Sequence, residues 1–423
     1  MPAKKKSPFL RAFGPGLLFA GQAVGVSHLV QSTRAGADYG LALVFIVIAA
    51  HVLKYPAFRF GPHYATVTGT SLLEGYRRQG RWALGLYTVV IVLSYLTSLA
   101  AITLVTAGVT LNVFGVDGSP LSTSGILLFV SGALIATGGY LRVEALCKLV
   151  VPALAVCTVI ATAFAIPALE SPALRGWPEK FDVVTLGAAI ALMGWMPTPI
   201  DSSLMHSLWV IARRRHAGET TANVSSSSLD FDVGYVGTAL LAICFVIMGA
   251  AVMFGTGEQF SPIPAIFAGQ VIDLYAQSIG PWSRPLVGFT AFLVMFTTLL
   301  TVVEGLPRVI ATVIARFSSP EPADATEDLS FRRVYWIALS GLGAGSLVVI
   351  AFFMNTLGAL VDVATISAFV LGPAIAWLNH RAVTSDEVPI ELRPAKWLIG
   401  LSGVGIAFMG ALAAVFLIAR FLT

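Results

Sequence analysis

The chain has 423 residues, 57% of them hydrophobic and only 11% charged, with a mean hydropathy of +0.84. Soluble domains carry about 25% charged residues, so the composition excludes a soluble enzyme or nucleic-acid-binding domain and indicates a multi-pass membrane protein. The net charge of +4 is then a topology signal, not a mark of nucleic-acid partners.

After the basic stretch Met1-Pro2-Ala3-Lys4-Lys5-Lys6, the first apolar run is too long for a signal peptide and lacks a small-residue cleavage site. It reads as the first of eleven spans, each long enough to cross about 30 Å of hydrocarbon. They are expected at 15–37, 39–60, 84–114, 121–140, 145–168, 184–212, 231–256, 284–316, 333–354, 357–380 and 395–419. The connections are too short to fold alone, which leaves a single transmembrane domain over 1–423. The stretch 61–80 has the pattern of a short amphipathic helix on the inner surface, and 318–324 that of a flexible connector. Asn223-Val224-Ser225 is a glycosylation sequon on the side expected to be cytoplasmic. Nineteen Lys and Arg fall in the segments on the N-terminal side of the membrane and five in those opposite. That bias predicts a cytoplasmic N-terminus and an external C-terminus in the cell (inner) membrane.

Two spans are interrupted. Span 1 contains Gly21-Gln22-Ala23-Val24-Gly25-Val26-Ser27-His28. Span 6 contains Gly194-Trp195-Met196-Pro197-Thr198-Pro199-Ile200-Asp201, where two prolines force the helix to break. The breaks lie five spans apart, an odd number, so a second five-helix unit would enter the membrane from the opposite side. The expected organisation is a 5+5 inverted repeat: repeat one at about 12–168, repeat two at about 184–380, and an extra helix at about 395–419. Such repeats place the substrate where the broken helices meet.

Asp201 is the strongest site candidate, because an intramembrane carboxylate marks function by default; an N-cap role for it is compatible. Asp362 in span 10 reads either as a second acid of a cation site or as an acid facing water. His28 could ligate a metal or carry a proton, or bond a neighbouring helix. Ser27, Gln31, Thr198 and Thr365 could supply neutral oxygens or helix–helix hydrogen bonds, and Met196 a soft sulfur ligand or core packing. Backbone carbonyls freed at the breaks would add oxygens. His206 and His51 are candidates for a proton path, and Gly25, Pro197 and Pro199 mark the breaks. Glu304 and Arg308, four apart, suit an ion pair. Cys147, Cys157 and Cys244 lie in apolar stretches and read as core thiols. Gly-rich phosphate loops, HExxH, CxxC and G-x-S-x-G are all missing, which argues against an enzyme and against ATP-driven pumping.

The run Phe13-Gly14-Pro15-Gly16-Leu17-Leu18, followed by Ala35-Gly36-Ala37-Asp38-Tyr39-Gly40, resembles the first span of NRAMP-type divalent metal transporters. Thr66-Val67-Thr68-Gly69, Gly139-Tyr140-Leu141-Arg142-Val143-Glu144-Ala145-Leu146 and His206-Ser207-Leu208 resemble further elements of that family. The resemblance implies an all-α fold of the LeuT type and proton-linked uptake of Mn²⁺ or Fe²⁺. It also implies a role for Met196 in favouring transition metals and for His206 in proton movement. The chain departs from the pattern where the family binds metal. Counting back from Ala35, the family's aspartate falls on Gly25 and its asparagine on His28. The span-6 Met-Pro-His is out of register, and the acids of span 3 are replaced by Leu96-Thr97-Ser98-Leu99-Ala100-Ala101-Ile102-Thr103. The expected function is secondary transport of a divalent cation (Mn/Fe-type or Mg) by alternating access, with proton coupling implied by the resemblance. The alternatives are transport of a small organic solute (an amine or amino acid), or a membrane sensor or scaffold that does not transport. The expected partners are the metal ion or solute and the lipid bilayer, with no permanently bound cofactor and no obligate protein partner.

Overall fold

A computed structural model of the chain describes residues 14–174, 182–217, 224–320 and 329–422, and among these every regular element is helical. The basic N-terminus, Asn223 and residues 321–324 of the connector lie outside the described residues.

The first interrupted span is α1 (Pro15–Ala23), a π-type turn (Ser27–Ser32) and α2 (Thr33–Tyr39). Then come α3 (Val44–Thr68), the short α4 (Leu72–Gln79), α5 (Arg81–Phe114) and α6 (Pro120–Ala165). The second interrupted span is α7 (Val183–Gly194) and α8 (Ser202–Ala217). It is followed by α9 (Val224–Val252), the short α10 (Pro264–Ile279), α11 (Arg284–Ser318), α12 (Leu329–Phe353), α13 (Leu357–Thr384) and α14 (Lys396–Leu422). Nine apolar segments among the described residues are long enough to span a bilayer, and the two interrupted spans come in addition.

The expected spans 4 and 5 are both carried by α6. Its 46 residues would measure about 69 Å if straight, more than twice the hydrocarbon thickness. Gly125 and Gly132 approach Leu347 and Leu339 on α12, whereas Cys147 meets Gly21 on α1 and Thr162 bonds Cys244 on α9. The two halves therefore serve as two crossings.

The second and third spans of each half share a feature that the sequence alone did not reveal. In each half a short helix, α4 or α10, precedes a long one: α5 with 34 residues or α11 with 35. Each short helix stops at a glycine of nearly the same backbone conformation, Gly80 (φ 121°, ψ 165°) and Gly280 (φ 129°, ψ 154°). Each glycine carries the indole of a tryptophan two residues later: a Cβ there would lie 3.0 Å from Trp82 Cδ1 or 3.1 Å from Trp282 Cδ1. The left-handed φ and the stacked ring both call for glycine. The paired Gly-x-Trp turns mark equivalent points in two copies of one unit.

Burial is concentrated in the middle of the bundle. The apolar windows of α5 and α11 are 67% buried, against 17% for α12, which faces outward. Close helix contact rests on small residues: a Cβ on Gly36 of α2 would come within 2.0 Å of Val246 O on α9. The stretch 61–80 does not form a surface helix. Residues 61–68 continue α3, and Leu72, Leu73, Glu74, Gly75 and Tyr76 of α4 are all buried. Glu74 pairs there with Arg77, Arg78 and Arg316.

Candidate functional site

The two interruptions meet in the centre of the bundle, and most of the backbone groups they release are already taken. At the first break, Thr298 Oγ1 on α11 donates to Gly21 O at 2.8 Å and reaches Val24 O at 3.3 Å. A Cβ on Gly25 would lie 2.7 Å from Thr298 Cγ2 and 2.8 Å from Oγ1. No side chain fits at the position that the resemblance matches with a metal-binding aspartate.

At the second break, Lys54 reaches across from α3. It is 1% exposed. Its Nζ donates to Met193 O, to Gly194 O at 3.0 Å and to Met196 O at 3.2 Å. Met193 and Gly194 end α7 and Met196 follows it, and Met193 O also accepts from the Met196 N–H at 3.3 Å. Ser27 Oγ links the breaks, lying 2.7 Å from Ala23 O and 3.1 Å from Pro197 O. Of the carbonyls expected as cation ligands, Gly21, Met193, Gly194 and Met196 are thus held by protein donors, and Val24 and Pro197 lie within reach of the shared Thr298 and Ser27 hydroxyls.

The free oxygens belong to side chains. A cavity of about 30 Å³ lies between the breaks, and its polar wall includes Gln22, Ser27, Tyr95, Thr198, Asp201 and Ser202. Asp201 is 7% exposed. Its neighbours are the Tyr95 hydroxyl and the backbone N–H of Ser202, with Lys54 as the opposite charge. Asp201 directly precedes α8, where its backbone oxygen accepts from Leu204 N at 2.9 Å, and it lines the cavity. Tyr95 is held in turn by Tyr87, hydroxyl to hydroxyl at 2.9 Å. Gln22 Nε2 donates to Ser202 Oγ at 2.9 Å, while its Oε1 is buried without a protein partner among the described residues. Trp195 Nε1 is likewise unpartnered and lines the same cavity. Buried polar atoms are rarely left this way unless a ligand or water completes them.

Of the residues singled out from sequence, the cavity gathers Asp201, Ser27, Thr198 and Pro199. His28 faces elsewhere: Nε2 lies 3.0 Å from Thr238 O on α9 and Nδ1 2.8 Å from Ser27 Oγ, so both ring nitrogens are engaged within the protein. Met196 is fully buried beside the break but does not line the cavity. Asp362 belongs to a different cluster, with Arg34 Nη1 at 2.9 Å and Gln31 Nε2 at 3.1 Å. Gln31 also donates to Thr365 Oγ1 at 3.2 Å. Arg34, Gln31 and Asp362 line a second, larger cavity of about 410 Å³. His51 and His206 sit among aromatic rings. His51 Nδ1 meets Val47 O at 2.8 Å with Tyr235 edge-on, and His206 stacks on Phe19 at 5.6 Å and tilts against Phe231. Glu304 and Arg308 form the expected ion pair at 2.6 Å.

Sequence reasoning missed Lys54, Gln22, Tyr95, Thr298 and Arg34. A lysine inside an apolar span was a usable signal for the first; the others are ordinary polar residues that only packing brings together. Among the described residues no group of three or more His, Cys, Asp or Glu could hold a metal ion. The cavity offers one carboxylate and neutral oxygens.

The family model "Natural resistance-associated macrophage protein-like" matches residues 16–419. An uncharacterized protein of Pasteurella multocida (strain Pm70) is 34% identical over 414 residues, covering 96% of this chain and 92% of that protein. A solved mutant of the Eremococcus coleocola manganese transporter superposes with a TM-score of 0.68 at 13% identity, covering 98% of this chain and 88% of that one. MhsT in complex with L-phenylalanine gives 0.68 at 14% identity over 96% and 98% of the two chains. Mhp1, a nucleobase-cation-symport-1 family transporter in a closed conformation, gives 0.61 at 15% identity over 97% and 90%. The fold is the LeuT type shared by these proteins, and the chain belongs to the natural resistance-associated macrophage protein-like (Nramp) family of membrane transporters.

Proposed function

We propose that this protein is a secondary transporter of a divalent metal cation, bound in the cavity between the two helix breaks. The observation that carries the proposal is the buried Asp201 carboxylate in a small, largely apolar cavity that Gln22, with its unpartnered amide oxygen Oε1, also lines. Oxygen-only donors favour hard cations such as Mg²⁺ or Mn²⁺ over softer ones. A 30 Å³ cavity admits an ion with a water or two, each needing about 10–15 Å³ of such space. It does not admit an amino acid in this conformation, which disfavours the organic-solute reading. The solved manganese transporter of the same fold agrees with metal as cargo.

Alternating exposure would follow from rocking of the two repeats about the breaks. In this reading the Arg34–Asp362–Gln31 cluster, which lines the larger cavity, would act as the closure between the two cavities. On the lysine and arginine bias the side of the larger cavity is external and the N-terminus cytoplasmic.

The test is calorimetric titration of the purified protein with Mg²⁺, Mn²⁺ and Fe²⁺, beside Asp201→Asn, with uptake into proteoliposomes under an imposed pH gradient. The proposal expects at least one metal to bind wild type and to lose at least tenfold in affinity on Asp201→Asn. Wild type that binds and transports no metal would refute the function. Asp201→Asn that binds as well as wild type would refute the site.

A further inference from the structure

A lysine ammonium buried in a membrane protein and aimed at three backbone carbonyls has the surroundings of a bound monovalent cation. Lys54 Nζ meets Met193 O, Gly194 O and Met196 O, all at the end of a half-helix in mid-bundle. Unwound carbonyls at half-helix C-termini are how transporters of this architecture coordinate small cations, since the C-terminal end carries partial negative charge. The groups electrostatically coupled to Nζ are few. Asp201 is the attractive partner from the second break, and His51 lies one turn earlier on the same helix. The helices packed around α3 include α7, α8, α9, α13 and α14.

We propose that Lys54 is a tethered cation. Its ammonium permanently fills a carbonyl cage that would otherwise hold an exchangeable Na⁺, K⁺ or ammonium ion, and so fixes the second helix break without a monovalent co-ion. The inference does not rest on the identity of the transported substrate. Lys54 is a positioning residue, because it acts through the backbone of the break. Two consequences follow. The wild-type protein is indifferent to which monovalent cation is present. A chain without the ammonium has a vacant cage that a small free cation can refill.

The experiment uses the full chain as wild type, Lys54→Ala and Lys54→Met. Each is purified and melted in NaCl, KCl, ammonium chloride, methylammonium chloride or choline chloride at equal ionic strength. The expected result for wild type is one melting temperature in all five salts. Lys54→Ala is expected to melt several degrees lower in choline and to recover saturably with rising Na⁺, K⁺, ammonium or methylammonium. Lys54→Met, whose side chain occupies the same volume without charge or donors, is expected to be destabilised and not to recover. If Lys54→Ala does not survive purification in choline, the yield of folded protein in ammonium against choline serves as the readout. Folded protein in ammonium alone supports the proposal. No folded protein in any salt overturns it, since free cations would have refilled the cage. Recovery in choline equal to that in small cations, recovery of Lys54→Met, or a wild type with the same ion dependence also overturns it.

Discussion

The clearest structural departure from the family pattern is Gly25, and it gives a sharp prediction. Replacing Gly25 by Asp restores the carboxylate at the position where the resemblance places a metal ligand. The structure allows no space for it. The new Cβ would lie 2.7 Å from Thr298 Cγ2 and 2.8 Å from Oγ1. Thr298 must therefore turn away and release Gly21 O and Val24 O, now held at 2.8 and 3.3 Å. The one Thr298 hydroxyl proton, shared between these two carbonyls, contributes about 1 kcal/mol. Overpacking adds about 1–3 kcal/mol, and an acid in the bilayer centre about 2.5–3.5 kcal/mol. The combined cost, roughly 4.5–7.5 kcal/mol, approaches the whole stability of many proteins. Gly25→Asp is thus expected to lower the melting temperature sharply in detergent. Removing the clashing atoms in Gly25→Asp/Thr298→Ala should make the double variant more stable than the two singles add up to, by about 1–3 kcal/mol. The reasoning fails if Gly25→Asp melts with wild type. It also fails if Gly25→Asp binds metal more tightly at no loss of stability, since the site would then have had room for a span-1 acid.

Three other perturbations probe the surroundings. Arg34 and Asp362 are about one-third exposed, so Arg34→Ala should change stability by no more than about 1 kcal/mol. It should, however, speed thiol labelling of Ser98→Cys inside the cavity in a chain whose native cysteines are replaced by alanine; an unchanged labelling rate would remove the closing role of that pair. His28→Gln should lower stability by about 1–3 kcal/mol, because a buried acceptor or donor loses its match, while the order of preference among Mg²⁺, Mn²⁺ and Zn²⁺ stays as in wild type. Selective loss of Zn²⁺ binding would instead make the ring a ligand. Asp182 caps α7 by accepting from Thr185 N at 2.9 Å, and these hydrogen bonds hold its carboxyl below the usual 3.8. A lowered pKa means that the stabilisation is complete above 3.8 and lost as pH falls through the folded value. Asp182→Asn should therefore leave the melting temperature at pH 7 nearly unchanged and flatten its fall in the acid range; an altered profile between pH 6 and 8 would contradict this.

Span order and the two breaks were legible because proline and hydropathy act locally. Pro197 and Pro199 end a helix whatever surrounds them, and the long third and eighth spans reappear as α5 and α11. The amphipathic pattern at 61–80 misled because a helix packed beneath the bundle and one lying on a membrane show the same periodicity; Glu74 is buried by arginines from two helices. Within the site, Asp201 was legible as an isolated intramembrane acid. Asp362 carried the same signal, yet its partner is Arg34, distant in sequence. His28 could not be assigned from sequence because its ligand, Thr238 O, is a backbone atom on another helix. The Gly-x-Trp turns at 80–82 and 280–282 were overlooked because three residues carry no statistical weight until their backbone angles are seen to agree.

The charges around the cavity constrain what it can hold. Asp201 and Lys54 carry opposite charges, so Lys54 offsets part of the charge that Asp201 offers a divalent ion. Two other sources remain. The C-terminal ends of α1 and α7 both stop at the breaks, and each half-helix end contributes about half a negative charge, although Lys54 already uses that of α7. Neutral oxygens such as Gln22 Oε1 and the hydroxyls of Thr198 and Ser202 supply the rest. Such a site holds a cation mainly by ion–dipole contacts and favours one that keeps part of its water, as Mg²⁺ does more readily than softer metals. It also explains why Asp201→Asn should weaken binding by more than one lost ligand: without that carboxylate the fixed ammonium of Lys54 becomes an uncompensated positive charge beside the ion it has to admit.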